Sequence, residues 1–310
     1  MEKKIGFVFP GQGSQYTNML SEHFQYSNKF NSVFEISKEI LGIDFTKLIK
    51  EGTAADLAAT QITQPLLLTA NHALWKMADL NPESIDLMAG HSLGEYSAYV
   101  AAETLNFEDA LRLVSLRAKY MQEAVKEGDG GIAAILGMKA EQLSTICSEI
   151  TSQGDLVSMA NLNSENQIVI SGTKSGVDKA IMLSKENGAK RAIPLAMSVP
   201  SHCKLMTPAS EKFTAEINKI EFKQPKAKVI QNFSVSHSDD TSEIKQNLIS
   251  QLYSPVRWSE TMAYFQGNKI NQFYECGPSK VLTGLVKKVF TGIDLYSLDD
   301  YKDFNSLKGI

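Results

Sequence analysis

The run Gly90-His91-Ser92-Leu93-Gly94 has the residue types and spacing of a nucleophilic serine set on a sharp turn. It follows a short apolar stretch, Leu87-Met88-Ala89, and precedes a helix-like segment at 95–105. The spacing therefore predicts a strand, a turn with the serine at its apex, and a helix. Glycine on either side lets the backbone reverse without a Cβ clash, and the first amides of the helix point to where an oxyanion would form. A small-residue turn of this kind also serves packing alone, so the motif gains chemical meaning only with a base in reach.

The chain offers five histidines for that role. His23 lies in a polar, helix-like stretch and His72 in the helix-like run 64–80, so both read as surface or hydrogen-bonded core residues. His237 sits among Ser236, Ser238, Asp239 and Asp240, a solvated loop. His91 leaves the turn in a different direction from Ser92 and suits the lining of a pocket mouth. His202 remains, in Val199-Pro200-Ser201-His202-Cys203 after a strand-like stretch at 191–197. A loop histidine bonded to backbone would look the same, yet an activated serine requires an imidazole, and this one would arrive from a strand end. Cys203 beside it could suggest a thiol nucleophile, but neighbouring side chains at extended spacing point apart, so it reads as packing.

Further short motifs stand in order along the chain. They are Pro10-Gly11-Gln12-Gly13-Ser14-Gln15, Thr63-Gln64-Pro65, the serine run continued through Glu95-Tyr96, Arg117, Pro200-Ser201-His202, and Gln251-Leu252-Tyr253 with Pro255-Val256. Together, across 7–285, they resemble the malonyl-CoA:acyl carrier protein transacylase family, the stand-alone enzymes of dissociated fatty acid synthesis. A dinucleotide-binding reading of the first motif fails, because G-x-G-x-x-G needs glycine where Tyr16 stands. The resemblance implies instead that the backbone N–H groups of Gln12 and Leu93 form an oxyanion hole. It implies that the backbone carbonyl of Gln251 orients His202 in place of a triad carboxylate, although Gln251 reads equally as a polar residue at a helix end. It further implies that Arg117 receives a substrate carboxylate, where spacing alone would leave a solvated helix arginine. Gln64 would be a polar neighbour of that pocket, and Asn163 and Gln167, on a strand connection, would face the pantetheine arm.

The activity so implied is ping-pong acyl transfer through a malonyl-Ser92 ester, with malonyl-CoA and acyl carrier protein as partners. No metal or redox cofactor is called for, the coenzyme A thioester being a substrate. Two alternatives use the same residues: a trans-acting acyltransferase of a polyketide synthase, and a thioesterase or esterase. Departures from the family pattern are few. Cys276-Gly277-Pro278-Ser279 has Cys and Ser where an aliphatic and a small residue are expected, which touches packing more than chemistry.

The elements that must position these residues divide the chain. With 310 residues and 43% hydrophobic content it can bury a large core, and its length suits one large unit with a smaller companion. Residues 5–9 read as a buried strand, 28–41 and 64–80 as helices, the second with Pro65 in its first turn, and 106–125 as a further helix. After Asp129-Gly130-Gly131 the order becomes strand 131–138, helix 140–150, strands 156–160 and 167–172, helix 175–187 and strand 190–196, the β-α-β-β-α-β signature of a ferredoxin-like unit. The expected fold is thus a large α/β-hydrolase-like domain with a parallel sheet and nucleophile elbow, 1–128 and 199–310, carrying an inserted ferredoxin-like subdomain at 129–198. Strands at 228–231 and 272–275 would finish the parallel sheet.

A net charge of −4 argues against a nucleic-acid surface. The three cysteines, Cys147, Cys203 and Cys276, lack metal or disulfide spacing, so a reduced, cytoplasmic setting is expected. No stretch approaches the ~20 apolar residues of a membrane span, and the start of the chain does not read as a secretion signal. Asn232-Phe233-Ser234 matches a glycosylation acceptor that such a setting would leave idle.

Overall fold

Apolar side chains alternate along the first strand, and that alternation decides which core each enters. In β1 (Ile5–Phe9), Ile5, Phe7 and Phe9 join one buried cluster while Val8 joins another on the opposite face. The same division holds in β2 (Leu87–Gly90), where Met88 faces the first cluster and Leu87 and Ala89 the second. A computed structural model describes residues 3–195 and 199–310. Its remaining strands are β3 (Gly130–Leu136), β4 (Val157–Ser164), β5 (Gln167–Thr173), β6 (Arg191–Pro194), β7 (Val229–Ile230), β8 (Gln272–Glu275) and β9 (Asp294–Ser297).

Among the described residues β7, β2, β1, β8 and β9 form, in that order, a five-stranded sheet whose neighbours all run parallel. Both faces are covered, as a parallel sheet requires. Helices Thr60–Ala78, Gly94–Ala101, Phe107–Ala124 and Thr207–Ile217 bury one face, and Trp258–Gly267 with Val281–Val289 the other. The edge strand β9 was not anticipated from sequence. It is half-exposed and four residues long, so its hydrophobic pattern is weak.

A second sheet, ordered β4-β5-β3-β6, is antiparallel throughout and carries helices Ala140–Ser152 and Lys174–Glu186 over its own core. The expected strand at 190–196 is present as β6, ending at Pro194. Residues 196–198, the end of that stretch and of the expected 129–198 segment, lie outside the described residues. This unit is fastened to the larger one through β4: Val256 donates its N–H to Ala160 O at 2.8 Å and accepts from Leu162 N at 2.9 Å.

Three local expectations need correction. The helix expected at 64–80 starts four residues earlier, so Pro65 lies within Thr60–Ala78 and not in its first turn. Thr63 explains the early start, since its hydroxyl donates to the carbonyls of Leu57 (2.5 Å) and Ala59 (3.1 Å) and holds that turn together. The helix expected at 95–105 stops at Ala101, because Glu103 takes a left-handed φ of 57° and the amides of Thr104 and Leu105 both return to Tyr99 O. Asn163 lies inside β4, not on the connection, which is formed by Glu165 and Asn166.

Candidate active site

Ser92 occupies the turn between β2 and helix Gly94–Ala101 with a left-handed φ of 53°, a conformation an L-residue keeps only when its surroundings impose it. Two residues on, position 94 must be glycine. A Cβ on Gly94 would lie 1.9 Å from the carbonyl oxygen of Phe9, so β1 and the turn can meet only because none is there. Asn232, just beyond β7, ties the turn from the other side. Its Oδ1 accepts the Ser92 N–H at 2.7 Å and its Nδ2 donates to Gly90 O at 2.7 Å. Being fully buried, Asn232 is closed to the glycosylation its sequence suggested.

His202 reaches the serine from a distant part of the chain. Its Nε2 lies 2.7 Å from Ser92 Oγ, and its Nδ1 donates to the Gln251 carbonyl at 2.8 Å. The bond at Nδ1 fixes the tautomer that leaves Nε2 bare to accept the serine proton. Gln251 is the last residue of helix Thr241–Gln251, where carbonyls lack intrahelical partners and the helix presents its negative end. The backbone thus supplies both the orientation and part of the charge that a triad carboxylate would give. Burial first, and then the neighbouring Arg117 cation, push the His202 pKa down to about 3, so the imidazole is neutral and ready to act as a base. The side chain of Cys203 points elsewhere and its Sγ meets Pro200 O, as expected, but the reason differs. His202 is not in extended backbone: it takes a φ of 62°.

Arg117 comes from the middle of helix Phe107–Ala124 and is 1% exposed. Nη1 donates to Gln64 Oε1 at 2.5 Å, and Nη2 donates to Gln251 Oε1 at 3.1 Å and approaches Ser92 Oγ at 3.4 Å. Gln64 is held in turn by Met121, whose sulfur receives its Nε2 at 3.6 Å. Among the described residues every hydrogen-bond partner of this guanidinium is neutral, and its Nε has none. A buried cation without a contacting anion is costly, which makes the pocket receptive to a carboxylate.

These groups face a cleft of about 600 Å³ between the two sheets' units, lined also by Gln12, Leu93, His91, Asn163 and Gln167. The loop after β1 comes close to the serine turn, for a Cβ on Gly11 would lie 2.4 Å from His91 O and 3.5 Å from Leu93 N. Among the described residues neither the Gln12 nor the Leu93 amide has an internal acceptor, so both are free to donate into the cleft. His91 Nε2 lies 2.8 Å from Asn163 Oδ1, and Gln167 Oε1 accepts from Lys288 Nζ at 2.7 Å at the rim. A larger cavity of about 850 Å³, around His72 and Phe107, contains none of these residues. His72 stacks on Phe107, His23 meets Leu298 O at 2.9 Å and His237 meets Tyr264 at 3.3 Å, all away from Ser92.

The Acyl transferase domain family matches residues 6–295. The chain belongs to this acyl transferase family. Among its relatives is the malonyl CoA-acyl carrier protein transacylase of Bacillus subtilis, 45% identical over 297 residues that cover 96% of this chain and 94% of that one. The malonyl CoA-acyl carrier protein transacylase of Salmonella typhimurium is 43% identical over 298 residues, 96% of each chain. A malonyl-transacylase solved in complex with a type II PKS acyl-carrier protein superposes with a TM-score of 0.95 at 40% identity, covering 98% of this chain and 99% of that one. In an acyl transferase, a serine bonded to a neutral imidazole and faced by free amides has the parts for forming and resolving an acyl ester.

All ten residues singled out from sequence border this cleft or touch one another beside it. Two others were missed. Asn232 was masked by its glycosylation pattern, and Glu95 stands in the first turn of a helix, where an acid suits the helix dipole wherever it points and so carries no signal of its own. Glu95 is in fact 1% exposed, with Oε2 accepting from Gln251 Nε2 at 2.7 Å and from Asn232 N at 3.0 Å. Burial raises its pKa to about 7.

Proposed function

We propose that the protein transfers a malonyl group from malonyl-CoA to the phosphopantetheine thiol of acyl carrier protein, supplying the extender unit for fatty acid synthesis. His202 Nε2 takes the Ser92 proton as Oγ attacks the thioester carbonyl. The amides of Gln12 and Leu93 hold the oxyanion. Collapse breaks the C–S bond, and coenzyme A leaves as a thiol with the proton from His202. The carrier thiol then gives its proton to His202 and attacks the malonyl-Ser92 ester, and collapse returns the proton to Oγ. Each stage conserves charge and needs no metal or redox cofactor. Asn163, His91 and Gln167 line the channel for the pantetheine arm.

In this reading the serine turn is a nucleophile elbow of α/β-hydrolase type, and 129–198 is an inserted ferredoxin-like subdomain. The strand order β4-β5-β3-β6 in β-α-β-β-α-β sequence supports the latter. No helix among the described residues is long and apolar enough to cross a membrane, and a cytoplasmic enzyme is the setting that suits these substrates.

The observation that carries the substrate is Arg117, a buried guanidinium 3.4 Å from the nucleophile with only neutral partners. A malonyl carboxylate fills that need and an acetyl group leaves it unmet. Charged hydrogen bonds contribute roughly 1.5–3 kcal/mol, so Arg117→Ala should lower malonyl transfer by more than about tenfold while acetyl transfer does not fall with it. Competition between malonyl-CoA and acetyl-CoA measures this, and a parallel fall in both would make Arg117 a packing residue.

A further inference from the structure

Gln251 takes part twice. Its backbone carbonyl orients His202, and its side chain joins the other two groups of the site. Through Oε1 the carboxamide accepts from Arg117 Nη2, and through Nε2 it donates to Ser92 O at 3.0 Å and to Glu95 Oε2 at 2.7 Å. A carboxamide rotated by half a turn would aim its NH₂ at Arg117, cation against donor, and its oxygen at the serine carbonyl. Something must select the correct end. The Ser92 carbonyl favours it, and so does Glu95, whose Oε2 accepts from Gln251 Nε2 as well as from the Asn232 N–H at 3.0 Å.

We infer that Glu95 is a positioning residue for malonyl selectivity: its Oε2 locks the Gln251 carboxamide so that Oε1 holds the Arg117 guanidinium beside Ser92. The same oxygen reaches the nucleophile by a second route, since the Asn232 backbone it binds carries the side chain that receives the Ser92 N–H. One carboxyl oxygen therefore sets the substrate-anchoring cation and the serine turn together. The function requires an acceptor at that distance and does not require a full charge. Consistent with this, Glu95 lies in a site where burial, the largest influence, works against ionisation and the nearby Arg117 works for it. The other ionisable groups that face it, Tyr96 and Tyr99, are buried too and carry no positive charge.

The inference rests on Arg117 being the carboxylate anchor, and the test separates the two. Glu95→Gln keeps an acceptor oxygen at full reach without the charge; Glu95→Asp keeps the charge and withdraws the oxygen by one methylene. Steady-state kinetics with malonyl-CoA and acetyl-CoA on both variants, on Arg117→Ala and on the parent should give a clear ranking. Glu95→Gln should stay within about threefold of the parent for both substrates. Glu95→Asp should raise KM for malonyl-CoA about tenfold more than it raises KM for acetyl-CoA, since the serine turn serves both substrates and the Arg117 anchor serves malonyl alone. The inference is overturned if Glu95→Asp retains the parent's malonyl preference, or if Glu95→Gln loses as much of it as Glu95→Asp while Arg117→Ala abolishes it. Should Arg117→Ala keep the preference, the anchor reading itself has failed.

Discussion

The proposed mechanism uses His202 as a neutral imidazole, and its surroundings disfavour the charged form. An unperturbed histidine would be half protonated near pH 6.5 and lose its capacity as a base there. Here burial and the Arg117 cation both disfavour the imidazolium, holding the pKa at about 3. Since kcat/KM reports groups of the free enzyme, acylation should stay flat as pH falls from 7 through 5. Removing the cation takes away the largest lowering influence after burial, so in Arg117→Ala the acid limb should move to higher pH. Stopped-flow acylation across this range checks both statements, and a midpoint near 6.5 in the parent would contradict the first. Ser92 and His202 were legible in sequence because one motif demanded a base and four of five histidines had poorer surroundings. Glu95 and Asn232 were not, since a buried side-chain network has no spacing signal: its members lie 137 residues apart and meet only through the fold.

At the scale of elements, Ser92 is set by how closely β1 and the serine turn approach. Gly94→Ala would drive a methyl into the Phe9 carbonyl, backbone against backbone, with no flexible side chain to yield. Overpacking of this kind costs about 1–3 kcal/mol, and in a chain of this size each kcal/mol lowers Tm by about 2–4 °C. Gly94→Ala should therefore lower Tm by about 2–12 °C and displace Ser92 enough to impair acylation severely. Gly267→Ala, at a helix end with nothing within 4 Å of the added carbon, should leave Tm unchanged or slightly raised. Equal Tm values for the two variants would refute the close-approach argument. Strongly periodic elements such as Asn28–Leu41 were legible in sequence to the residue. The early start of Thr60–Ala78 was not, because a threonine hydroxyl reaching back to two carbonyls overrides the usual reading of a proline as a helix start.

At the scale of the whole molecule, residues from both sheets' surroundings border one cleft. The serine, histidine and arginine all come from the larger unit, and β4 of the smaller one brings Asn163 over them, held in place by the paired hydrogen bonds to Val256. The chain order of strands made the parallel sheet and the separate second sheet visible in advance, whereas the Val256 attachment depends on two segments almost a hundred residues apart. The His202 partner is a helix-end carbonyl and not a buried carboxylate, so activation of water should be poor, and a pantetheine thiol is the better nucleophile. The most direct measurement is time-resolved intact mass of the protein mixed with malonyl-CoA, before and after carrier protein is added. A malonyl adduct should form on the parent and not on Ser92→Ala, persist in buffer, discharge onto phosphopantetheinylated carrier, and survive carrier that lacks the arm. Release of free malonate without carrier, at a rate equal to or above that of transfer, would contradict the account and make the protein a thioesterase.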